Sequence, residues 1–298
     1  MKNLIVILGP TGIGKTDLSI DIAKKFETEI ISSDSRQVYR ELKIGTAVPI
    51  DDQLKKVKHH FIGNKSIYDY YNASMFEEEV IESLNVLFKD FDYVVMTGGS
   101  GMYINAVCDG IDYLPTIDQK LRDDLIEKYK KEGIESIRLQ LKMLDLVSYN
   151  KIDLKNPKRM LKALEVSIQT GKPYSSFLLD TKKKRDFNII KIGLRRDREE
   201  LYERINLRVD QMIEEGLIEE ANRFYEDRHL NSLNTVGYKE LFDCFAGNIT
   251  EEKAIELIKR NSRHYAKRQI SWFSRDKEIV WFHPENEDRI VEFIKSCS

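Results

Sequence analysis

The chain has 298 residues, 41% of them hydrophobic and 33% charged, with a formal net charge of −2 at pH 7. That balance is ordinary for a globular chain with enough apolar material for one large domain or two smaller ones. It excludes a helical membrane span, because no apolar run approaches the ~18 residues a bilayer requires, and the net charge by itself does not announce a nucleic-acid binder.

In chain order, Leu4 to Leu8 is continuously apolar and ends in a glycine-rich turn, the pattern of a buried parallel strand. Thr16 to Phe26 has helical spacing, with Leu18, Ile22, Ala23 and Phe26 on one face. Glu29 to Ser32 reads as a second strand, and "DYVVMTGGSG" (Asp92 to Gly101) as a third closed by glycines. Between them Ser74 to Lys89 is predicted as a helix, with Ser74 as N-cap and Glu77 completing a capping box. Strand and helix alternate, so the N-terminal part is expected to be a parallel α/β sheet. From Thr116 to about Thr170 the sequence is charged and helical, and "PKRMLKALEVSIQTGK" opens with Pro157 in a first turn and stops at Gly171. "KKKRD" (Lys182 to Asp186) reads as a basic linker, "FNIIKIGL" (Phe187 to Leu194) as another buried strand, and "KEIVWF" (Lys277 to Phe282) as a candidate last strand. The fold class expected is therefore α/β, a P-loop-type parallel sheet core flanked by helices over residues 1–115 and 185–298, with an all-helical insertion at 116–184.

Gly9-Pro10-Thr11-Gly12-Ile13-Gly14-Lys15-Thr16 matches the Walker A pattern between a strand and a helix. Its glycines let the backbone curl so that N–H groups point inward, and the helix adds its positive end. Lys15 supplies a full charge to outer phosphates and Thr16 a hydroxyl to Mg²⁺. The loop fixes a di- or triphosphate without fixing the reaction. A phosphate loop stands where a secretory signal needs a cleavage site, so a cytoplasmic protein is expected. Cys108, Cys244 and Cys297 form no CxxC pair and His59-His60 no metal spacing, so free thiols and no structural zinc are expected.

Asp34, after the second strand, is expected near the loop, because open parallel sheets carry their sites at strand ends. It is either a proton acceptor for an incoming nucleophile, or a cap or a water-bridged Mg²⁺ ligand. Gly98-Gly99-Ser100-Gly101 allows either close approach of substrate, with Ser100 donating to an oxygen, or a tight turn. Arg204 and Arg208 share a helix face and suit a diphosphate, or else pair with Glu200 and Glu203. Between Lys259 and Lys277 seven cationic side chains face the single acid Asp276, interleaved with Tyr265, Trp272 and Phe273. That is either an RNA-binding surface or an amphipathic helix, and aromatics inward with basic residues outward is expected.

Together these blocks resemble the bacterial tRNA dimethylallyltransferase (tRNA isopentenyltransferase) family. The matching stretches are "GPTGIGKT", "DSRQVYRELKIGTAVP" (Asp34 to Pro49), "TGGSGMY" (Thr97 to Tyr103), "PKRMLKALE" (Pro157 to Glu165), "LYERINLRVDQMIEEGL" (Leu201 to Leu217), "VGYKE" (Val236 to Glu240) and "YAKRQISWF" (Tyr265 to Phe273). The resemblance implies transfer of a dimethylallyl group from its diphosphate to the exocyclic amine of an adenosine beside the tRNA anticodon. The partners implied are the tRNA anticodon stem-loop and dimethylallyl diphosphate, with Mg²⁺ as cofactor, no membrane and a monomer. Gly9 to Thr16 would hold the diphosphate, Asp34 would be the base, and Lys15, Thr16 and Arg208 would act on the leaving group. Asp34, Ser35, Arg36 and Gln37 would meet the flipped-out adenosine, and Ser100 would stand where the family more often has threonine. Arg122 and the run Lys158, Arg159, Met160, Leu161 and Lys162 would contact tRNA. So would Asn234, Gly237, Tyr238 and Lys239, and Lys267, Arg268, Gln269 and Trp272 on the C-terminal helix. One departure stands out: Thr46-Ala47-Val48-Pro49 has valine where many relatives carry lysine. The rivals are a small-molecule P-loop kinase and a non-catalytic RNA-binding module switched by nucleotide.

Overall fold

The computed structural model describes residues 2–112, 114–115, 117–178 and 182–298. The chain forms two compact units, residues 1–109 with 184–298, and residues 110–183. The expected boundaries fell at 116 and 184; Thr116 itself lies outside the described residues.

The first unit starts with β1 (Asn3–Leu8), α1 (Lys15–Lys25), β2 (Ile30–Ser32), α2 (Asp51–Leu54), β3 (His59–His60), α3 (Ala73–Asp90), β4 (Tyr93–Gly98) and α4 (Gly101–Asp109). The second unit holds α5 (Gln119–Glu132), α6 (Ile134–Leu144), α7 (Leu146–Lys151) and α8 (Pro157–Thr170). The chain then returns to the first unit through β5 (Asn188–Leu194), α9 (Arg198–Glu214), α10 (Leu217–Arg223), α11 (Tyr238–Phe245), α12 (Glu251–Phe273), β6 (Val280–Phe282) and α13 (Glu287–Ser296).

The six strands make one sheet in the order β3-β2-β4-β1-β5-β6, and every pairing is parallel. All six residues of β1 are buried, as a central strand covered on both faces requires. Register places Leu8 beside Gly98 of β4 and Gly193 of β5, and Ser32 beside Thr97. The loops that follow β1, β2 and β4 therefore leave the sheet along one edge. Beneath them Ile5, Ile7, Ile13, Ile22, Ile192 and Ile205 belong to one core.

The cap of α3 differs from expectation. Asn72, not Ser74, is the N-cap, its Oδ1 accepting from Ser74 N at 2.9 Å and Met75 N at 3.0 Å. Glu77 closes no capping box; it is buried and pairs with Arg185 at 2.7 Å.

The helical unit has its own core of Leu125, Ile137, Leu141, Met160, Leu161 and Leu164. Asn156 caps α8 by accepting from Arg159 N at 3.2 Å, Pro157 fills its first turn, and Gly171 ends it in the left-handed region at φ 68°. Among the described residues no helix is long and apolar enough to cross a membrane.

Candidate active site

The turn after β1 bends because Gly12 and Gly14 sit at φ 78° and 104°, where other residues are strained. A side chain at Gly12 would also meet Ile205 at 2.9 Å, so α9 lies hard against the turn. Immediately after, α1 begins at Lys15 and points its positive end at the same spot. Lys15 folds back on the loop, donating to the carbonyls of Gly9 at 3.0 Å and Pro10 at 2.8 Å. Burial first, and then the neighbouring Arg208, hold its pKa down to about 7, with Asp34 opposing.

Two arginines of α9 face this loop. Arg204 Nε donates to Gly12 O at 3.0 Å. Among the described residues Arg208 makes only long contacts, 3.4 Å to Thr11 Oγ1 and 3.5 Å to Ala47 O, and burial lowers its pKa. The expected alternative, pairing with Glu200 and Glu203, is not what forms: Glu200 bonds Arg196 instead. Lys15, Arg204 and the loosely held Arg208, gathered around a glycine turn that opens a helix, make a cradle that favours an anion.

Asp34 lies within electrostatic reach of that cradle. One carboxylate oxygen caps the following turn, accepting from Arg36 N at 2.8 Å and Gln37 N at 3.3 Å. Its negative charge reaches Lys15 and Arg208 as well as Tyr103 and Tyr265, and acts to raise the pKa of all four. Both phenols are raised, chiefly by burial, Tyr265 to about 12. These tyrosines line a cavity of about 420 Å³ with Tyr39, Tyr71, Ser100 and Trp272. Asp34 thus lies within electrostatic reach of both the anion cradle and an aromatic pocket, of a size that admits a purine, whose wall includes its neighbours Ser35 and Arg36.

The IPP transferase family model matches residues 37–276. The chain belongs to the IPP transferase family. It is 54% identical over 295 residues to tRNA dimethylallyltransferase 1 of Bacteroides thetaiotaomicron, covering 99% of this chain and 96% of that one. The crystal structure of the full-length tRNA isopentenylpyrophosphate transferase from Bacillus halodurans is 34% identical, with a TM-score of 0.74 over 99% of this chain and 96% of that one. A eukaryotic dimethylallyltransferase acting on tRNA has a TM-score of 0.84 at 24% identity, over 100% of this chain and 81% of that one, a likeness of fold.

In this IPP transferase several residues expected to face RNA are turned inward. Met160 is fully buried and Leu161 nearly so, because α8 presents that stripe to its own helical core. Tyr238 is fully buried and donates to Glu220 Oε1 at 2.6 Å, and Gly237 is buried beside it. Gln269 is buried too: its Oε1 accepts from Thr11 N and its Nε2 donates to Gly99 O, both at 2.9 Å. Arg36 spends its guanidinium on the carbonyls of Asn231, Ser232 and Asn234. Arg122 forks onto both oxygens of Glu165 at 3.0 and 3.1 Å. Ser100 Oγ accepts from Ser35 N at 2.9 Å and donates to Ser35 Oγ at 3.1 Å. The glycines at the end of β4 and just beyond it serve close internal packing, since side chains at Gly98, Gly99 and Gly101 would collide with Ser33, Gln269 and Trp272 within 2.4 Å.

Lys158, Arg159, Asn234, Lys239, Lys267 and Arg268 are exposed, and Lys162 half-buried. The expectation of inward aromatics on α12 holds for Phe273, 2% exposed, and fails for Trp272, 37% exposed at the cavity wall. Sequence reasoning missed Tyr39, Tyr71 and Tyr103 as cavity walls. Tyr39 and Tyr103 lie inside the quoted motifs; Tyr71 lies in none, and only folding brings it to Tyr103, with ring centroids 6.4 Å apart.

Proposed function

We propose that the protein transfers the dimethylallyl group of dimethylallyl diphosphate to the exocyclic amine of the adenosine next to the anticodon in tRNA. The reach of the Asp34 charge to both the cationic cradle and the tyrosines of the aromatic cavity carries this reading. The cradle would hold the diphosphate, and the cavity would take the adenine, lifted from its stack at a cost of a few kcal/mol. An adenine amine is a weak nucleophile. The Asp34 carboxylate accepts its proton as the nitrogen bonds to the allylic carbon, while the carbon–oxygen bond breaks and its electron pair leaves with the diphosphate. Lys15 and Arg208 meet the charge that grows there. No covalent intermediate on the enzyme is needed, and buried Cys108, its thiol pushed up to about 12, offers none.

Mg²⁺ fits the oxygen donors present. No protein hydrogen bond among the described residues uses the Thr16 hydroxyl, and the buried hydroxyls of Ser33 and Thr97, at neighbouring strand ends, also lack partners there. Thr16 would hold the ion, which when bound supplies positive charge to the diphosphate. Exposed Lys158, Arg159, Lys239, Lys267 and Arg268 supply phosphate contacts to the anticodon stem-loop. We place the enzyme in the cytoplasm as a monomer. A kinase is not favoured, since the relatives are named for prenyl transfer to tRNA.

The test is to mix the protein with unmodified tRNA, Mg²⁺ and labelled dimethylallyl diphosphate and follow label into RNA. Transfer that stops at that adenosine is expected. ATP consumption without prenyl label in RNA would overturn the reading.

A further inference from the structure

Away from the loop and the cavity, the carboxylate of Glu220, on α10, is buried and takes four hydrogen bonds. Its Oε2 accepts from Lys43 N and Ile44 N, both at 3.0 Å, and its Oε1 from Gly45 N at 2.9 Å and Tyr238 Oη at 2.6 Å. Three successive backbone N–H groups converge on one carboxylate, a nest of the kind that binds anions. Glu220 and Tyr238 are both buried. Gly45 is pressed so close to Tyr238 that a side chain there would meet the ring at 2.6 Å.

The segment so gripped runs directly into the active site. Two residues on, Ala47 adopts φ 50°, a conformation that L side chains avoid. Its carbonyl accepts from Gln37 Nε2 at 3.0 Å and Arg208 at 3.5 Å, while Thr46 O accepts from Gln37 Nε2 at 3.1 Å. Gln37 N in turn donates to Asp34. One loop therefore connects Glu220 to the arginine of the cradle and to the turn that carries the base.

Taking the prenyl-transfer reading as given, we propose that Glu220 is a positioning residue: by clamping the amides of residues 43–45 it fixes the Ala47 carbonyl, and through it aims Arg208 at the diphosphate. A carboxylate suits this clamp because its two oxygens accept four bonds. An amide has one oxygen, and its NH₂ would face N–H groups.

Glu220→Gln keeps the shape and breaks the clamp; Tyr238→Phe keeps three of the four bonds. With Mg²⁺-pyrophosphate titrated calorimetrically, E220Q is expected to bind at least ~10-fold more weakly than wild type, and Y238F within ~3-fold. In the transfer assay E220Q raises KM for dimethylallyl diphosphate and lowers kcat/KM by up to ~100-fold, the scale set by an ångström of misplacement. Its KM for tRNA stays unchanged, which a general loosening of the fold would not produce. A folded E220Q that binds pyrophosphate as wild type does overturns the proposal. Should E220Q not fold, amide exchange in the wild type decides: pyrophosphate is expected to slow exchange across residues 43–48, and unchanged exchange sinks the idea. The pyrophosphate measurements stand apart from the prenyl reading. Wild type that binds pyrophosphate but transfers no prenyl group would remove that reading and leave the clamp.

Discussion

In the proposed reaction Asp34 divides two roles between its two oxygens. Oδ1 caps the turn at Arg36 and Gln37, and the other has no hydrogen-bond partner among the described residues. Asp34→Asn keeps the cap and removes the base. It is expected to lower turnover at least ~100-fold while tRNA affinity and melting temperature stay near wild type; unchanged turnover in single-turnover assays would remove the assignment. Lys15 carries a pH signature. Its pKa falls from 10.5 to about 7 in the folded, ligand-free protein, so between those values the folded state binds fewer protons than the unfolded. Stability then rises with pH through that window, and the penalty of the buried charge is complete below about 7. Lys15→Met is therefore expected to raise the ligand-free melting temperature, more at pH 6 than at pH 9.5, and to abolish pyrophosphate binding. Calorimetric scans at the two pH values check the sign.

At the scale of the element, α8 separates its surface from its core within five residues. Lys158 and Arg159 are exposed, Met160 and Leu161 buried. The 3.6-residue repeat puts neighbours in sequence on different faces, so a contiguous RNA-contacting run could not all point outward. Met160→Ala is expected to cost ~2–5 kcal/mol of stability in denaturant unfolding. Lys158→Ala and Arg159→Ala are expected to stay within ~0.5 kcal/mol and instead to weaken tRNA binding in filter assays. On α12 the same logic splits Arg268, exposed, from Gln269, buried beneath it against the phosphate loop.

For the whole molecule the net charge of −2 hides local asymmetry, the seven cations of Lys259 to Lys277 against one acid. Part of that surplus is spent internally: Lys259 pairs with Asp210 at 2.5 Å and Arg263 bonds Asn206. The remainder faces solvent, so tRNA affinity is expected to fall steeply between 50 and 200 mM salt. Arg268→Ala or Lys267→Ala should each flatten the slope of log K against log salt by about 1. A slope independent of salt would place RNA elsewhere.

Much of this was legible in order along the chain. The strand–turn–helix around Gly9 to Thr16, the parallel α/β class and the helical run near Pro157 follow from local spacing, because hydrophobic period and glycine geometry act over a few residues. The family followed from motifs read as strings. What the string could not show was orientation and long-range pairing. Asn72 rather than Ser74 capping α3, Tyr71 meeting Tyr103, Gln269 bonding a loop 258 residues away and Glu220 gripping three amides of another segment all depend on which face packs inward. A chain's own sequence encodes contacts between neighbours directly, whereas contacts between distant segments exist only once the parallel sheet has brought its strand ends to one edge.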